Sequence, residues 1–148
     1  MNIFVTEEFI SEVKAIIKSK SHESCETDLI ESIFNKNIDE IKNIGTKRLG
    51  GVPDKNPFLR KRLGSENRSK SGGYRLYFWL FIKDENVFLM FIHPKTGRRS
   101  ATNISIDKQK GLVKTFKLYR DEGKFILTKL NKKGTKMIFS TSEKEVFK

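Results

Sequence analysis

The sequence predicts an α+β fold. An N-terminal strand and two helices pack on an antiparallel three-strand meander, followed by a C-terminal helix and an extra tail. Three observations carry this reading. Apolar residues in roughly the first 45 positions recur at helical spacing. Residues 58–93 hold three short apolar runs bounded by turn residues, and the run from Tyr74 to Ile82 is almost unbroken. Charge divides along the same line. Residues 1–46 carry five Lys/Arg against nine Asp/Glu, residues 55–99 eleven against three, and residues 100–148 twelve against five.

The elements follow in order. Ile3-Phe4-Val5 reads as a short strand. Thr6 is an N-cap with Glu7 and Glu8 in the first turn, and Phe9, Val13, Ile16 and Ile17 form the buried stripe of a helix. Residues 19–26 form a polar link holding His22, read as a surface residue, and Cys25. A second helix starts at Thr27-Asp28, with Leu29, Ile30, Ile33 and Phe34 on one face. It either continues or restarts after Asn35, through Ile38 and Ile41, and stops near Gly45. Gly50, Gly51, Pro53, Asp54 and Pro57 mark a loop.

The meander comprises Phe58 to Leu63, Tyr74 to Lys83 and Val87 to His93, with a tight polar turn at Lys83-Asp84-Glu85-Asn86. Pro94 ends the third strand. Asp107 leads a helix with Leu112, Val113, Phe116 and Tyr119 inward, ending at Gly123; Gly111 inside it costs up to about 1 kcal/mol. Phe125-Ile126-Leu127 and Met137-Ile138-Phe139 flank a polar turn and suit an added hairpin. At 148 residues the chain is expected to form one domain, with its core at 1–123 and residues 124–148 as a C-terminal extension.

The net charge of +12 favours a nucleic-acid or ribosomal partner over a small neutral substrate. A single cysteine excludes a disulfide framework and a cysteine-based zinc site. Nothing resembles a signal peptide, and no apolar run approaches the ~20 residues of a membrane span, so the expected location is cytoplasmic.

The chemistry is expected between Arg60 and Arg99. Side chains alternate along a strand, so Arg60 and Arg62 share one face and Leu59, Lys61 and Leu63 the other. If helices cover the leucine side, the arginines point to an open, concave face. Arg75, Tyr77, Trp79 and Phe81 are placed on that open face too, giving cations beside aromatics as a phosphate-and-base surface. A slip of one residue would put Lys61 there instead. Arg75, at the mouth of an apolar strand, must snorkel to water or pair with an anion, and its neighbours are mostly cations. Such a cluster is usually completed by an anion the protein does not carry, most often phosphate.

His93 is the candidate for proton transfer near neutral pH or for stacking on a base; a buried structural histidine is the third reading. The segment's acids are Glu66, Asp84 and Glu85, too few and too scattered to hold magnesium, so no metal and no cofactor are expected. What remains is metal-free phosphodiester chemistry, in which a ribose 2′-hydroxyl attacks its own phosphate while cations stabilise the developing charge.

The element order, with Arg60-Lys61-Arg62-Leu63 preceding Lys70-Ser71-Gly72-Gly73-Tyr74-Arg75-Leu76, resembles the RelE/ParE toxin superfamily, and within it the HigB-like mRNA interferases. Arg62, Arg75 and Lys95 have spacings that fit this branch, and the resemblance spans about residues 55–120. It implies a RelE-like toxin of a type II toxin–antitoxin system, an endoribonuclease that cuts mRNA in the ribosomal A site and is held in check by a cognate antitoxin protein. By resemblance, Arg75 stabilises the phosphate, Arg60 and Arg62 are the alternating cations of which one helps activate the 2′-hydroxyl, and Lys95 supports the leaving 5′-oxygen. His93 falls where relatives often carry tyrosine. Catalytic candidates are therefore Arg62, Arg75, Lys95 and His93. Candidate RNA contacts are Arg60, Lys61, Arg68, Lys70, Tyr77, Arg98 and Arg99. A longer loop after Lys95 and the C-terminal tail depart from the pattern. A ParE-like gyrase inhibitor on the same fold and a non-catalytic RNA- or ribosome-binding module remain alternatives.

Overall fold

The computed structural model describes residues 1–19, 22–64, 73–95 and 104–140. They form an α+β structure built on one mixed seven-stranded sheet. In chain order the elements are β1 (Asn2–Val5), α1 (Glu7–Ile17), α2 (Cys25–Leu29), a π-helical turn (Ile30–Phe34) and α3 (Ile38–Asn43). There follow β2 (Thr46–Val52), β3 (Asn56–Leu63), β4 (Tyr74–Phe81), β5 (Asn86–Pro94), α4 (Ile106–Glu122), β6 (Ile126–Leu130) and β7 (Met137–Phe139). The sheet order is β2-β3-β4-β5-β1-β6-β7, antiparallel throughout except where β1 runs parallel to β5.

Local chemistry explains the helix boundaries. Thr6 Oγ1 accepts the Phe9 N–H at 3.0 Å, and Glu7 and Glu8 lie at the positive end of the α1 dipole. Asn37 and Glu40 form a reciprocal capping box that starts α3, so the second helical region restarts after Asn35 rather than continuing. α4 is capped by Ser105 and stopped by Gly123 at φ 65°.

Two layers cover the sheet. α1, α2, the π-helical turn and α3 bury Phe9, Val13, Ile16, Leu29, Ile33 and Ile41 against Leu59, Leu63, Leu76, Phe78, Leu89 and Ile92. α4 buries Leu112 and Phe116 on the opposite face, against Phe58, Trp79, Phe88 and Met90.

Four expectations need correction. The segment read as a loop around Gly50 and Gly51 is mostly strand β2, so the meander has four strands. Gly51 adopts φ 73°, and a β-carbon there would overlap the Asn56 carbonyl oxygen, so glycine here serves strand pairing and not a loop. The second helix begins at Cys25, inside the expected polar link. His22 is buried, at 3% exposure, with its ring edge-on to Tyr74. The expected hairpin forms, as β6 with β7, but the core does not end at residue 123: Met137 and Phe139 lie in the main core, and the buried Glu26 carboxylate accepts the Met137 N–H at 2.9 Å. Among the described residues no helix is long and apolar enough to cross a membrane.

Candidate active site

Residues directly opposite on neighbouring strands send their side chains to the same face. On the α4 face this sets three rows. Phe58, Trp79 and Phe88 form the first, Lys47, Arg60, Tyr77 and Phe91 the second, and Arg62, Arg75 and His93 the third. The aromatic row lies beneath α4: the Trp79 ring stacks on Phe58 at 5.0 Å and on Phe116 at 4.7 Å between centroids. Trp79 is therefore covered, and Tyr77 is fully buried, so the base-stacking surface expected from Tyr77 and its neighbours is occupied by the protein's own helix. The cationic row is left outside it, with Arg62 exposed and Arg60 and Arg75 half-buried.

A bulge in β5 aligns the third row. Phe78 pairs with Leu89 but Tyr77 pairs with Phe91, leaving Met90 as an extra residue. Without it Arg75 would face Ile92 and His93 would turn toward the helical layer. The bulge turns His93 to the face of Arg75 instead.

Arg75 is the unusual member. Its Nε and Nη1 are buried and have no hydrogen-bond acceptor among the described residues. Burial is the main force lowering its pKa; Arg60 and Arg62 add to it, and Tyr77 opposes it. Among the described residues no carboxylate offsets the desolvation of this guanidinium. Arg62 stands directly opposite it, an arrangement of like charges that costs stability unless something negative lies between.

His93 is buried, and both ring nitrogens are engaged. Nδ1 lies 3.1 Å from the Pro94 carbonyl oxygen and Nε2 3.1 Å from the Tyr77 hydroxyl. A carbonyl can only accept, so Nδ1 carries the proton and Nε2 accepts from Tyr77. The Ile104 backbone N–H bonds the same phenol oxygen, which leaves the phenol proton for His93. Burial, aided by Arg75 and Arg60, lowers the His93 pKa against the opposing pull of the Pro94 carbonyl. His93 is thus a neutral strut beneath the cations, and its expected place as a catalytic group in contact with substrate gives way to a positioning one. Tyr77 likewise moves from the RNA contacts to this strut.

Lys95 follows immediately. Its N–H donates to the Gly73 carbonyl at 2.9 Å, tying the end of β5 to the entry of β4 beside Arg75. Lys61 lies on the other face. It is buried beneath α3, where Nζ donates to the carbonyls of Ile44 at 2.5 Å, Ile41 at 3.4 Å and Glu40 at 3.5 Å. It caps the helix C-terminus and is not placed to meet RNA. Arg68, Lys70, Arg98 and Arg99 lie outside the described residues.

The structure thus brings Arg60, Arg62 and Arg75 together on one face, sets the Lys95 backbone at the entry of β4 beside them, and adds Lys47, exposed and opposite Arg60. Lys47 escapes the sequence reading because Gly50 and Gly51 disguise its strand. Among the described residues no three His, Cys, Asp or Glu side chains gather closely enough to hold a metal ion. No known protein family, no curated protein and no solved structure matches the chain.

Proposed function

We propose that the chain is an endoribonuclease toxin of the RelE/ParE type, closest to the HigB-like mRNA interferases, acting on mRNA at the ribosome. The observation that carries this reading is the Arg75 guanidinium, half-buried opposite Arg62 and near Arg60, with its Nε and Nη1 unused among the described residues. A phosphodiester supplies the missing charge and the missing acceptors together.

The chemistry follows from that placement. The 2′-oxygen attacks the adjacent phosphorus and gives up its proton to water, with Arg62 stabilising the forming alkoxide. Charge gathers on the non-bridging oxygens, where Arg75 and Arg60 hold it. The phosphorus–5′-oxygen bond breaks, and the Lys95 ammonium protonates the departing oxygen and is reprotonated from water. The products are a 2′,3′-cyclic phosphate and a 5′-hydroxyl. His93 takes no proton in this scheme; it holds the Pro94–Lys95 turn in place. An antitoxin protein that covers the cationic rows would silence the site.

Primer extension on mRNA with and without translating ribosomes, and on naked RNA with and without EDTA, tests the proposal. Cutting that needs ribosomes, and that a single 2′-deoxynucleotide at the cut site abolishes, is expected. EDTA-sensitive cutting of naked RNA would overturn it. Gyrase-dependent DNA breaks without RNA cleavage would assign the ParE-like activity instead.

A further inference from the structure

Helix α4 carries a cationic face that the site above does not use. Between Asp107 and Asp121 it holds Lys108, Lys110, Lys114, Lys117 and Arg120, and no acid. Two of the five serve the fold. Lys108 pairs with Glu8 at 2.8 Å and lies over the Phe91 ring, and Arg120 lies over the Phe81 ring. Lys110, Lys114 and Lys117 are exposed. Their spacing puts them on one side of the helix, rising about 6 and then about 4.5 Å along its axis. Like charges at these intervals weaken a helix, so the stripe is kept at a cost to the fold.

Gly111 supplies an independent observation. It sits in the helix interior, exposed and flanked by Lys110 and Lys114, and a β-carbon there would meet nothing within 4 Å. Neither packing nor backbone geometry asks for glycine, and the helix would be firmer with alanine. A missing side chain one turn from Lys114, at the edge of the lysine stripe, leaves a flat gap where another molecule's backbone can approach the helix closely. α4 also lies on the same sheet face as Arg60, Arg62 and Arg75, covering the aromatic row and leaving the cationic rows beside it.

We propose that the outer face of α4, formed by Lys110, Gly111, Lys114 and Lys117, is a second RNA-binding surface that tracks the sugar-phosphate backbone of a strand whose other part lies on the sheet cations. The RNA chemistry of the partner rests on the function proposed above, but the surface is separate from the reacting groups. Lysines without an aromatic partner read charge rather than sequence, so binding here is sequence-tolerant and strongly salt-dependent.

The test is equilibrium binding of uncleavable 2′-O-methyl RNA, a 4-mer and a 20-mer, to the full chain across a salt series. Replacing Lys110, Lys114 and Lys117 with Gln should weaken 20-mer binding at least about tenfold and flatten its salt slope by about 2, near 0.7 per lost phosphate contact. The 4-mer should bind as before. Gly111→Leu should weaken 20-mer binding without lowering the melting temperature, and Gly111→Ala should raise the melting temperature. Equal loss for both lengths, or unchanged 20-mer affinity in the triple variant and Gly111→Leu, overturns the surface. If wild type binds neither RNA, the RNA reading of the active site falls with it. If the triple variant loses only poly-glutamate, the face belongs to an acidic protein and the proposal is overturned.

Discussion

The Tyr77 hydroxyl donates to His93 Nε2 at 3.1 Å, and this bond joins two buried side chains from adjacent strands directly beneath the candidate site. It makes the neutral imidazole the form the fold requires. In the unfolded chain His93 has an ordinary pKa of about 6.5, whereas in the folded protein burial lowers it. The unfolded state therefore binds more protons below about pH 6.5, and His93's contribution to stability falls as pH drops through that range. Urea unfolding between pH 5 and 7.5 should show this loss, and His93→Gln should flatten it. If His93 is a strut, the variant's activity should fall without any change in the shape of the pH–rate profile. A profile that loses a limb would make His93 a proton carrier.

Gly73 links the ends of β3 and β5 beside Arg75. A β-carbon on it would overlap the Leu63 carbonyl oxygen, and its own carbonyl holds the Lys95 N–H. Gly73→Ala should cost on the order of 1–3 kcal/mol, read as a lower melting temperature, and should depress cleavage more than the unfolded fraction explains. Wild-type stability in the variant would mean that the strands do not approach this closely.

Lys61 should behave as a structural residue. Burial, with Lys36 adding and Glu40 opposing, lowers its pKa from 10.5 to about 8. Between about pH 8 and 10.5 the unfolded chain holds a proton that the folded chain has released, so stability from this group rises with pH across that window. Lys61→Met should remove the rise. At pH 7 it should lower stability on the order of 1 kcal/mol, because the α3 carbonyls lose their donor. RNA affinity should not change; a loss of RNA affinity in folded protein would return Lys61 to the interface.

Much of the architecture was legible because local signals and burial agreed. Thr6 followed by two acids marked α1, and the apolar runs around Trp79 and Leu89 marked the central strands. β2 was hidden because Gly50 and Gly51 punctuate sequence like a loop, although here they permit a bulge and a close strand approach. The alternation of Arg60 and Arg62 against Leu59 and Leu63 gave their faces correctly, since a two-residue period needs no tertiary information. What covers each face is a tertiary fact. No local feature indicates that α4 would seal Trp79, that three carbonyls would claim Lys61, or that His22 would pack against Tyr74. The β5 bulge is invisible for the same reason, and it alone sets His93 opposite Arg75.

Arg75 bears the central claim, and stability and activity should part there. Removing a half-buried guanidinium whose Nε and Nη1 have no acceptor among the described residues, with Arg62 opposite and Arg60 nearby, relieves repulsion and desolvation. The decisive measurement is single-turnover cleavage of ribosome-bound mRNA by wild type and Arg75→Ala, with a melting curve for each. The account predicts a rate lower by about 10²-fold or more, with a melting temperature equal to or above that of wild type. A folded Arg75→Ala that cuts as fast as wild type would contradict it.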